Sequence, residues 1–600
     1  MSLFVAYDSR GISDVGADRA DKIAELCGEG AVWHEGRNSL VCTASEERVD
    51  VAVESDGELG AVVGDAYLDS EPLTPSALRS VGPDFDRVNG EFLGVLESED
   101  RLRVVTDRLN FQQLFVYETD DLFVGATSVL GVLHYLADVD RLDVTLNRTA
   151  MTEALNFGYP LEEKTHFEEV NLLPAATVTD VELTDDGLRR TESTYWEMEY
   201  GDYYDDVEEA ADDLTEAMRE AMELRTDDDH HYGIHLSGGL DSRLILAAMP
   251  KTARTTAYSF GVSGSDEPFI ARLSAMASHA DFEFFPLGQY LTEYAEEGIR
   301  LTDGTVPMNN FHHLPSMHEM RDDCDKLFLG SLGDITLAGS KLTPQMLTES
   351  FGPDDIYKKT DSFEENLWND LLDQEYFDRS LAKESVARSY GRTSPESNHC
   401  NRIDIWNIAS RQARYIFRGG PRSIGHFVPV SNPFADKRVL EVSLRISPEM
   451  RLENDFRHGM LGDLAPKQAW VPEAANWTPP AVNKLKYGPG GVRFLLSKRR
   501  FRRAVPFLGD EIPFGYPDYE EWVRTDGELR SFVIDKLDRF CDRGWADHTA
   551  VTNAMAAHCA RQGSYWRELF SMVTQEIWLE AVESEFPGLE FGPKSEPVTA

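Results

Sequence analysis

Short runs in which apolar and polar positions alternate dominate the first third of the chain. Residues 3–7, 40–43, 49–53, 60–63, 92–97, 102–106, 115–117 and 122–126 each read as a strand. Between them, residues 18–27 and 148–156 repeat their apolar positions with helical spacing. Many short strands with few helices predict an α+β layered unit over residues 1–200. Residues 200–206 are polar, carry no period and read as a linker. From 207 the rhythm changes. A charged amphipathic helix over 207–224 is followed by strands at 233–236, 255–260, 282–286 and 326–329, with helices between, such as 268–278. That alternation predicts a parallel, doubly wound sheet. Beyond about 340 the pattern is mostly helical, broken by Pro/Gly stretches such as Trp477-Thr-Pro-Pro480 and Tyr487-Gly-Pro-Gly-Gly491. The second unit is therefore expected over 207–600, with no internal repeat.

Composition sharpens this picture. Six hundred residues suffice for two or three domains, and 42% apolar residues with 10 Trp argue for packed cores. Acidic residues number 106 against 58 basic ones, a net charge of -48. The excess is spread along the chain, with only small runs such as Asp227-Asp228-Asp229. A diffuse excess of this kind suits a protein that stays soluble in high salt, and it disfavours nucleic acid as a partner. A cytoplasmic, high-salt setting is the expectation. The cysteines at 27, 42, 324, 400, 541 and 559 form no metal-type spacing and read as buried thiols. The N-terminus lacks a signal-peptide pattern, and no run of 18 apolar residues suggests a membrane span.

The chemistry concentrates at Ser237-Gly238-Gly239-Leu240-Asp241-Ser242, between the strand at 233–236 and the helical pattern that follows. A strand, a Gly-rich turn and a helix start present backbone N–H groups and a helix N-terminus to an anion. The two glycines let the backbone come close to phosphate and adopt positive φ. Ser237 and Ser242 can donate to phosphate oxygens. Asp241 places a carboxylate beside them, an arrangement that calls for a bridging Mg²⁺. The stretch is not of the Walker type and reads as a pyrophosphate site for ATP.

This motif resembles the loop of the ATP pyrophosphatases, which cleave ATP to AMP and pyrophosphate. Further segments resemble the asparagine synthetase family: Ala257-Tyr-Ser-Phe-Gly-Val-Ser-Gly-Ser-Asp-Glu267, Pro429-Val-Ser-Asn-Pro-Phe-Ala-Asp-Lys-Arg-Val439 and Ile446-Ser-Pro-Glu449. In the first unit, Val88-Asn-Gly-Glu-Phe-Leu-Gly-Val-Leu96, Val105-Thr-Asp-Arg-Leu109 and Gln113-Leu-Phe-Val-Tyr117 are similar to that family's glutamine amidotransferase half. The resemblance implies an Ntn-type amidotransferase-like α+β sandwich joined to an α/β ATP-pyrophosphatase unit with a helical C-terminal extension. It implies an ATP- and Mg²⁺-dependent ligase that adenylates a carboxylate, aspartate in the best-known case, for attack by ammonia or an amine. Leu236, Ser237, Gly238, Gly239, Leu240, Asp241, Ser242, Phe260, Leu329 and Gly330 would hold ATP, with Leu236 and Phe260 flanking the adenine. Asp241 and Asp334 would share Mg²⁺. The partners implied are small molecules, and a homodimer is compatible with the resemblance.

The chain departs from the family pattern in both units. Position 2 is Ser2, where relatives carry the Cys nucleophile. The Arg-Gly-Pro-Asp segment that holds glutamine has no counterpart, and Val62-Val63-Gly64-Asp65-Ala66-Tyr67 stands where Phe-Asn-Gly-Glu-Ile-Tyr is expected. Loss of glutaminase activity is the expectation, with slow Ser-based hydrolysis as the alternative. In the second unit, Leu329-Gly-Ser-Leu-Gly-Asp-Ile335 replaces Gly-Glu-Gly-x-Asp-Glu: Gly330 and Asp334 match, but Ser331 takes the place of the presumed base. The late Lys is missing, and Arg457 or His458 is the candidate cation, with Arg457 assigned a catalytic role beside Asp241 and Asp334. Two alternatives stay open: amide formation on a sugar acid, peptide or secondary metabolite, and a non-catalytic ATP-binding regulator.

Three other features invite a reading. Arg411, Arg414 and Arg418 share one helical face, which either points to the cleft or is solvated or salt-bridged. His312, His313 and His318 are spaced poorly for a shared metal, and the loop with Asn309-Asn310 is expected to line the cleft. Lys498-Arg-Arg-Phe-Arg-Arg503 is expected to be a helix balancing the acidic surface rather than a polyanion site.

Overall fold

The computed structural model describes residues 3–10, 15–28, 30–44, 49–53, 58–339, 342–393, 398–474, 479–483 and 517–592. Ser2 and the basic cluster 498–503 lie outside the described residues.

The N-terminal part forms strands β1 (Leu3–Asp8), β2 (Val32–Glu35), β3 (Ser39–Thr43), β4 (Val49–Val53), β5 (Leu59–Leu68), β6 (Glu71–Pro72), β7 (Asn89–Ser98), β8 (Arg101–Thr106), β9 (Phe115–Glu118), β10 (Leu122–Ala126), β11 (Asn171–Leu172), β12 (Thr177–Thr184) and β13 (Gly187–Thr194). One antiparallel sheet runs β11-β9-β10-β1-β3-β2, and a second runs β13-β12-β8-β7-β5-β4 with β6 on β5. The period-2 pattern explains how they stack. Leu3, Val5 and Tyr7 of β1 meet Leu59, Ala61, Leu93, Val95 and Val104 of the second sheet in a core between the two. Phe4 and Ala6 point the other way, onto the helices Ala17–Cys27 and Val129–Asp138. Across the second sheet, Val62, Phe92, Leu96 and Val105 pack on Leu78 of the helix Pro75–Ser80. The result is helix, sheet, sheet, helix, the α+β sandwich expected for residues 1–200.

The segment 200–206, expected as a loose linker, is pinned. Tyr200 and Tyr204 are buried, each under a guanidinium, that of Arg451 at 4.2 Å and that of Arg445 at 4.1 Å. Its two tyrosines give this polar stretch the apolar anchors that a periodicity search overlooks.

After the helix Val207–Arg225 come β14 (His231–His235), β15 (Arg254–Gly261), β16 (Asp281–Pro286), β17 (Lys326–Phe328) and β18 (Val430–Ser431), all parallel, in the order β16-β15-β14-β17-β18. The strand order reverses at β14/β17. In such sheets the crevice outside the carboxyl ends at that reversal is where ligands bind. The helices Gly527–Asp542, His548–Cys559 and Trp566–Glu585 complete the fold on one face, burying Trp545 and Trp578. Two π-helical stretches, Asn407–Ile416 and Arg418–Arg422, lead into β18. No helix among the described residues is long and apolar enough to cross a membrane.

Buried polar contacts join the two parts. Lys326 on β17 donates to Asp65 on β5 at 2.9 Å, and Arg225 donates to Asp436 at 2.7 Å. Asn89 on β7 donates to the same Asp436 at 2.8 Å, and the Asn432 backbone N–H donates to Glu91 at 2.6 Å. Burial pushes the Asp65 carboxyl up, but Lys326 and Arg225 outweigh it and hold Asp65 below its ordinary value. Glu91, buried and close to Asp65, is pushed well above its own.

Candidate active site

The loop Leu236–Ser242 leaves β14 at the reversal of strand order and enters the helix Asp241–Ala248. Its backbone is held by its own hydroxyls. Ser237 N–H donates to Ser242 Oγ at 3.0 Å, Gly239 N–H donates to Ser237 Oγ at 3.2 Å, and the two hydroxyls lie 3.2 Å apart. Leu236 and Leu240 are buried as apolar anchors, whereas Ser237 and Gly239 face outward. Arg243, a residue that the motif alone does not single out, clamps the turn from below. Its Nε donates to Gly239 O at 2.9 Å and its Nη1 to Val471 O at 3.0 Å.

The glycines serve closeness rather than handedness. Neither Gly238 nor Gly239 is among the positive-φ residues, which corrects the expectation from sequence. A Cβ on Gly238 would lie 2.5 Å from Ala474 Cβ, because the strap Val471–Ala474 crosses the loop and Ala474 N–H donates to Gly238 O at 3.1 Å. The loop after β17 packs just as tightly from the other side. A Cβ on Gly330 would lie 3.1 Å from Asp241 Cβ, and one on Gly333 would lie 2.5 Å from Asp241 Cγ. Gly333, which sequence reasoning passed over, is thus what lets Asp241 approach the third strand's loop. Leu329 is buried beneath it.

Arg457, on the helix Asp455–Leu464, reaches both carboxylates. Its Nη2 donates to Asp241 Oδ1, and its Nη1 lies 3.6 Å from Asp334 Oδ1. Burial lowers its pKa to about 10, with Glu473 opposing, so it stays a cation at neutral pH. The other candidate, His458, instead pairs with Glu473 at 2.9 Å. Asp334 keeps 71% of its side chain exposed, and burial of the carboxyl itself, with Glu473 nearby, raises its pKa. Asp241 and Asp334 fit Mg²⁺, which takes one or two carboxylates and otherwise prefers phosphate and water oxygens. Among the described residues no group of three or more metal-type side chains comes together.

Phe260 stands apart from Leu236. Leu236 belongs to the core on one face of the parallel sheet, while Phe260 packs against the core on the other. There its ring lies 5.4 Å from that of His235 and 5.2 Å from that of His312. Burial lowers the pKa of His235 to about 3, helped by His312, and that of His312 to about 4. His313 donates to or accepts from Ser423 at 2.6 Å, and His318 pairs with Glu297 at 3.0 Å on the surface. The structure therefore brings Ser237–Ser242, Gly330, Asp334 and Arg457 together, sets Phe260 with the imidazoles alongside, and leaves His318 outside.

Comparison with known proteins adds the following. Residues 213–479 match the family model described as Asparagine synthase. No curated protein matches the chain. Among solved structures it is similar to the allosteric regulatory enzyme of purine biosynthesis, at 9% identity over 47% of this chain and 80% of that one, TM-score 0.22. It is similar also to the glutamine phosphoribosylpyrophosphate amidotransferase from B. subtilis complexed with ADP and GMP, at 9% identity, 48% and 67% coverage, TM-score 0.21. A third is the NMN synthetase from Francisella tularensis, at 10% identity, 34% and 94% coverage, TM-score 0.19. Over residues 213–479, the stretch that holds the loop Leu236–Ser242, Asp334 and Arg457, the chain is thus similar to the asparagine synthase family.

Proposed function

We propose that this protein is an ATP-dependent, AMP- and pyrophosphate-forming amide ligase acting on a small carboxylate and ammonia or an amine. The observation that carries the reading is the convergence of the Ser237–Ser242 turn, Gly330, Asp334 and Arg457 at the strand-order reversal. The outward Ser237 and Gly239 and the following helix start offer donors to a triphosphate. A carboxylate oxygen of the acceptor attacks the α-phosphorus, the bond to the β-phosphate oxygen breaks, and pyrophosphate leaves. The amine nitrogen then attacks the acyl carbon, AMP departs, and the nitrogen's proton passes to solvent or a nearby base. Arg457 is placed to exchange Asp241 for phosphate oxygens, neutralising charge as it builds on the leaving pyrophosphate. Mg²⁺, held by Asp241 and Asp334, would add to that neutralisation. Ser331, where relatives carry Glu, cannot accept a proton near neutral pH, so this chain would need an amine that arrives uncharged.

We propose further that glutamine hydrolysis is lost. Asp65, on the segment where relatives carry Asn-Gly-Glu, is spent on the contact with Lys326 and Arg225. The first part then acts as a structural partner.

ATP–pyrophosphate exchange in molar KCl, across a panel of carboxylates with and without aspartate, tests the reading. Acceptor-dependent exchange is expected, with amide formed from ammonia but not from glutamine. Absence of exchange with every acceptor would hand the case to a nucleotide-binding regulator, a reading favoured by the Arg457–Asp241 pair and by Ser331.

A further inference from the structure

The arginine face expected at 411, 414 and 418 splits three ways. Arg418 pairs with Asp303, and Arg411 lies with its Cζ 5.3 Å from the centre of the Tyr415 ring. Arg414 is buried and lines a cavity of about 490 Å³ between the two parts of the molecule. Leu172 and Leu173 wall this cavity from the N-terminal part, Trp196 and Met198 from the stretch that joins the parts, and Ile408 and Ala413 from the π-helical stretch Asn407–Ile416. The π-helical hydrogen bonding shapes that lining. Ile408 and Ala413, like Ala409 and Arg414, are five positions apart, and all four line the cavity. Five steps of an α-helix would turn the second member of each pair about 140° away, whereas i→i+5 turns bring it back round. Neither the loop Leu236–Ser242 nor Gly330, Asp334 or Arg457 lines the cavity, which is therefore separate from the crevice after β14.

Two buried polar side chains interrupt the apolar wall, and each has an atom left over. Arg414 Nε donates to Pro160 O at 3.2 Å and its Nη2 donates to Lys164 O, but its Nη1 has no hydrogen-bond partner among the described residues. Burial, with Arg418 nearby, lowers the Arg414 pKa to about 10, and Glu163, Glu153 and Asp303 oppose the shift from beyond ion-pair distance, so the group stays a cation at neutral pH. Asn110 Nδ2 donates to Leu173 O at 2.8 Å, while its Oδ1 has no partner among the described residues. A buried donor or acceptor left unpaired costs the desolvation of that group, and a cation costs more. A ligand that brings an anionic acceptor to the guanidinium and a donor to the amide oxygen offsets that cost. Cavities of roughly 300–1,000 Å³ with apolar walls and a few orienting polar groups are the usual form of small-molecule sites.

We propose that this cavity is a binding site for an apolar α-amino acid. The ligand's carboxylate accepts from Arg414 Nη1, its ammonium group donates to Asn110 Oδ1, and its side chain lies against Leu172, Leu173, Trp196 and Ile408. The walls come from both parts of the molecule, so occupancy ties the parts together and stabilises the whole chain. The assignment stands independently of the ligase reading above.

The test is calorimetric titration of the full chain in molar KCl with L-leucine, L-phenylalanine and L-tryptophan. Three analogues each lack one element: 3-phenylpropionate the amine, phenethylamine the carboxylate and glycine the apolar body. The variants are Arg414→Gln and Ala409→Trp, the second placing bulk at an exposed lining position. The expected result is one site per chain for at least one of the three amino acids, weaker binding of 3-phenylpropionate, and none of phenethylamine or glycine. Affinity should fall about tenfold or more in both variants, the effect of losing one hydrogen bond to a charged group or of filling the space. The bound amino acid should also raise the thermal midpoint of the wild type and leave that of Ala409→Trp where it was. Absence of binding by all three amino acids, phenethylamine binding as well as phenylalanine, or an affinity untouched by Ala409→Trp overturns the inference. If Arg414→Gln does not fold, Ala409→Trp carries the test, and a circular dichroism spectrum matching that of the wild type identifies its loss as local.

Discussion

At the scale of single residues, the two glycine pairs of the site differ in what they tolerate. A Cβ at position 333 would press on the Asp241 carboxyl carbon at 2.5 Å, whereas one at 239 would meet only the Ser237 hydroxyl at 3.3 Å. Gly333→Ala is therefore expected to lower the rate of ATP–pyrophosphate exchange about tenfold or more, the effect of a misplacement of roughly 1 Å. Gly239→Ala should change it only a few-fold; steady-state exchange kinetics of the two variants check the order. The turn between β14 and the helix Asp241–Ala248 was legible from sequence because its signals are local: small residues, two hydroxyls and a carboxylate between a strand and a helix. The reason for Gly238 was not, since what demands it is Ala474, more than two hundred residues away in the chain. Arg457 was legible only as one of two candidates, because choosing between neighbours on a helix needs the direction of each side chain.

At the scale of elements, strands with one buried and one differently buried face announced themselves by alternation, and β1, β8 and β10 lie within a residue or two of the expected bounds. The helix Val129–Asp138 did not. Its residues 129–136 are buried on every side, so no 3.6-residue contrast existed to detect. The β12–β13 hairpin was overlooked although Asp185-Asp186, followed by Gly187, marks its turn, because its outer strand is polar and exposed. β18 is two residues long, too short for any periodicity, yet it completes the parallel sheet. The end of β14 and the loop before the helix Leu314–Met320 carry imidazoles with depressed pKa values, His235 near 3 and His312 near 4. The folded state binds fewer protons there than the unfolded chain does. Their contribution to stability is thus fully present above the ordinary value of 6.5 and lost as pH falls through the window toward 4 and 3. Thermal midpoints measured from pH 7 down to pH 4 should fall, and the slope should flatten in His235→Asn.

At the scale of the whole molecule, the junction between the two parts is built on charge. Asp65→Ala would leave Lys326 without its carboxylate and Arg225 with Asp436 alone. Breaking one partner out of such a largely buried cluster costs about 3 kcal/mol, and urea unfolding is the measurement. A replacement that also removes a cation, Asp65→Ala with Lys326→Met, should recover part of the loss. The surface poses the opposite problem, since a net charge of -48 repels itself. Because screening lengths shrink from about 10 Å at 0.1 M salt to about 3 Å at 1 M, the thermal midpoint is expected to rise by several degrees as KCl increases over that range. A flat response would contradict a high-salt adaptation. That acidity was visible in composition alone, whereas the interlocking of the two parts was not, because its members are scattered from Asp65 to Asp436.

The fifth strand of the parallel sheet hangs from the N-terminal part: the backbone of Asn432, next after β18, is tied to Glu91, and Asp436 is tied to Asn89. A protein trimmed to its parallel-sheet portion would release that edge strand from its mooring, and the crevice with it. The N-terminal part thus serves as scaffolding against which the parallel sheet is assembled, whatever chemistry of its own it carries.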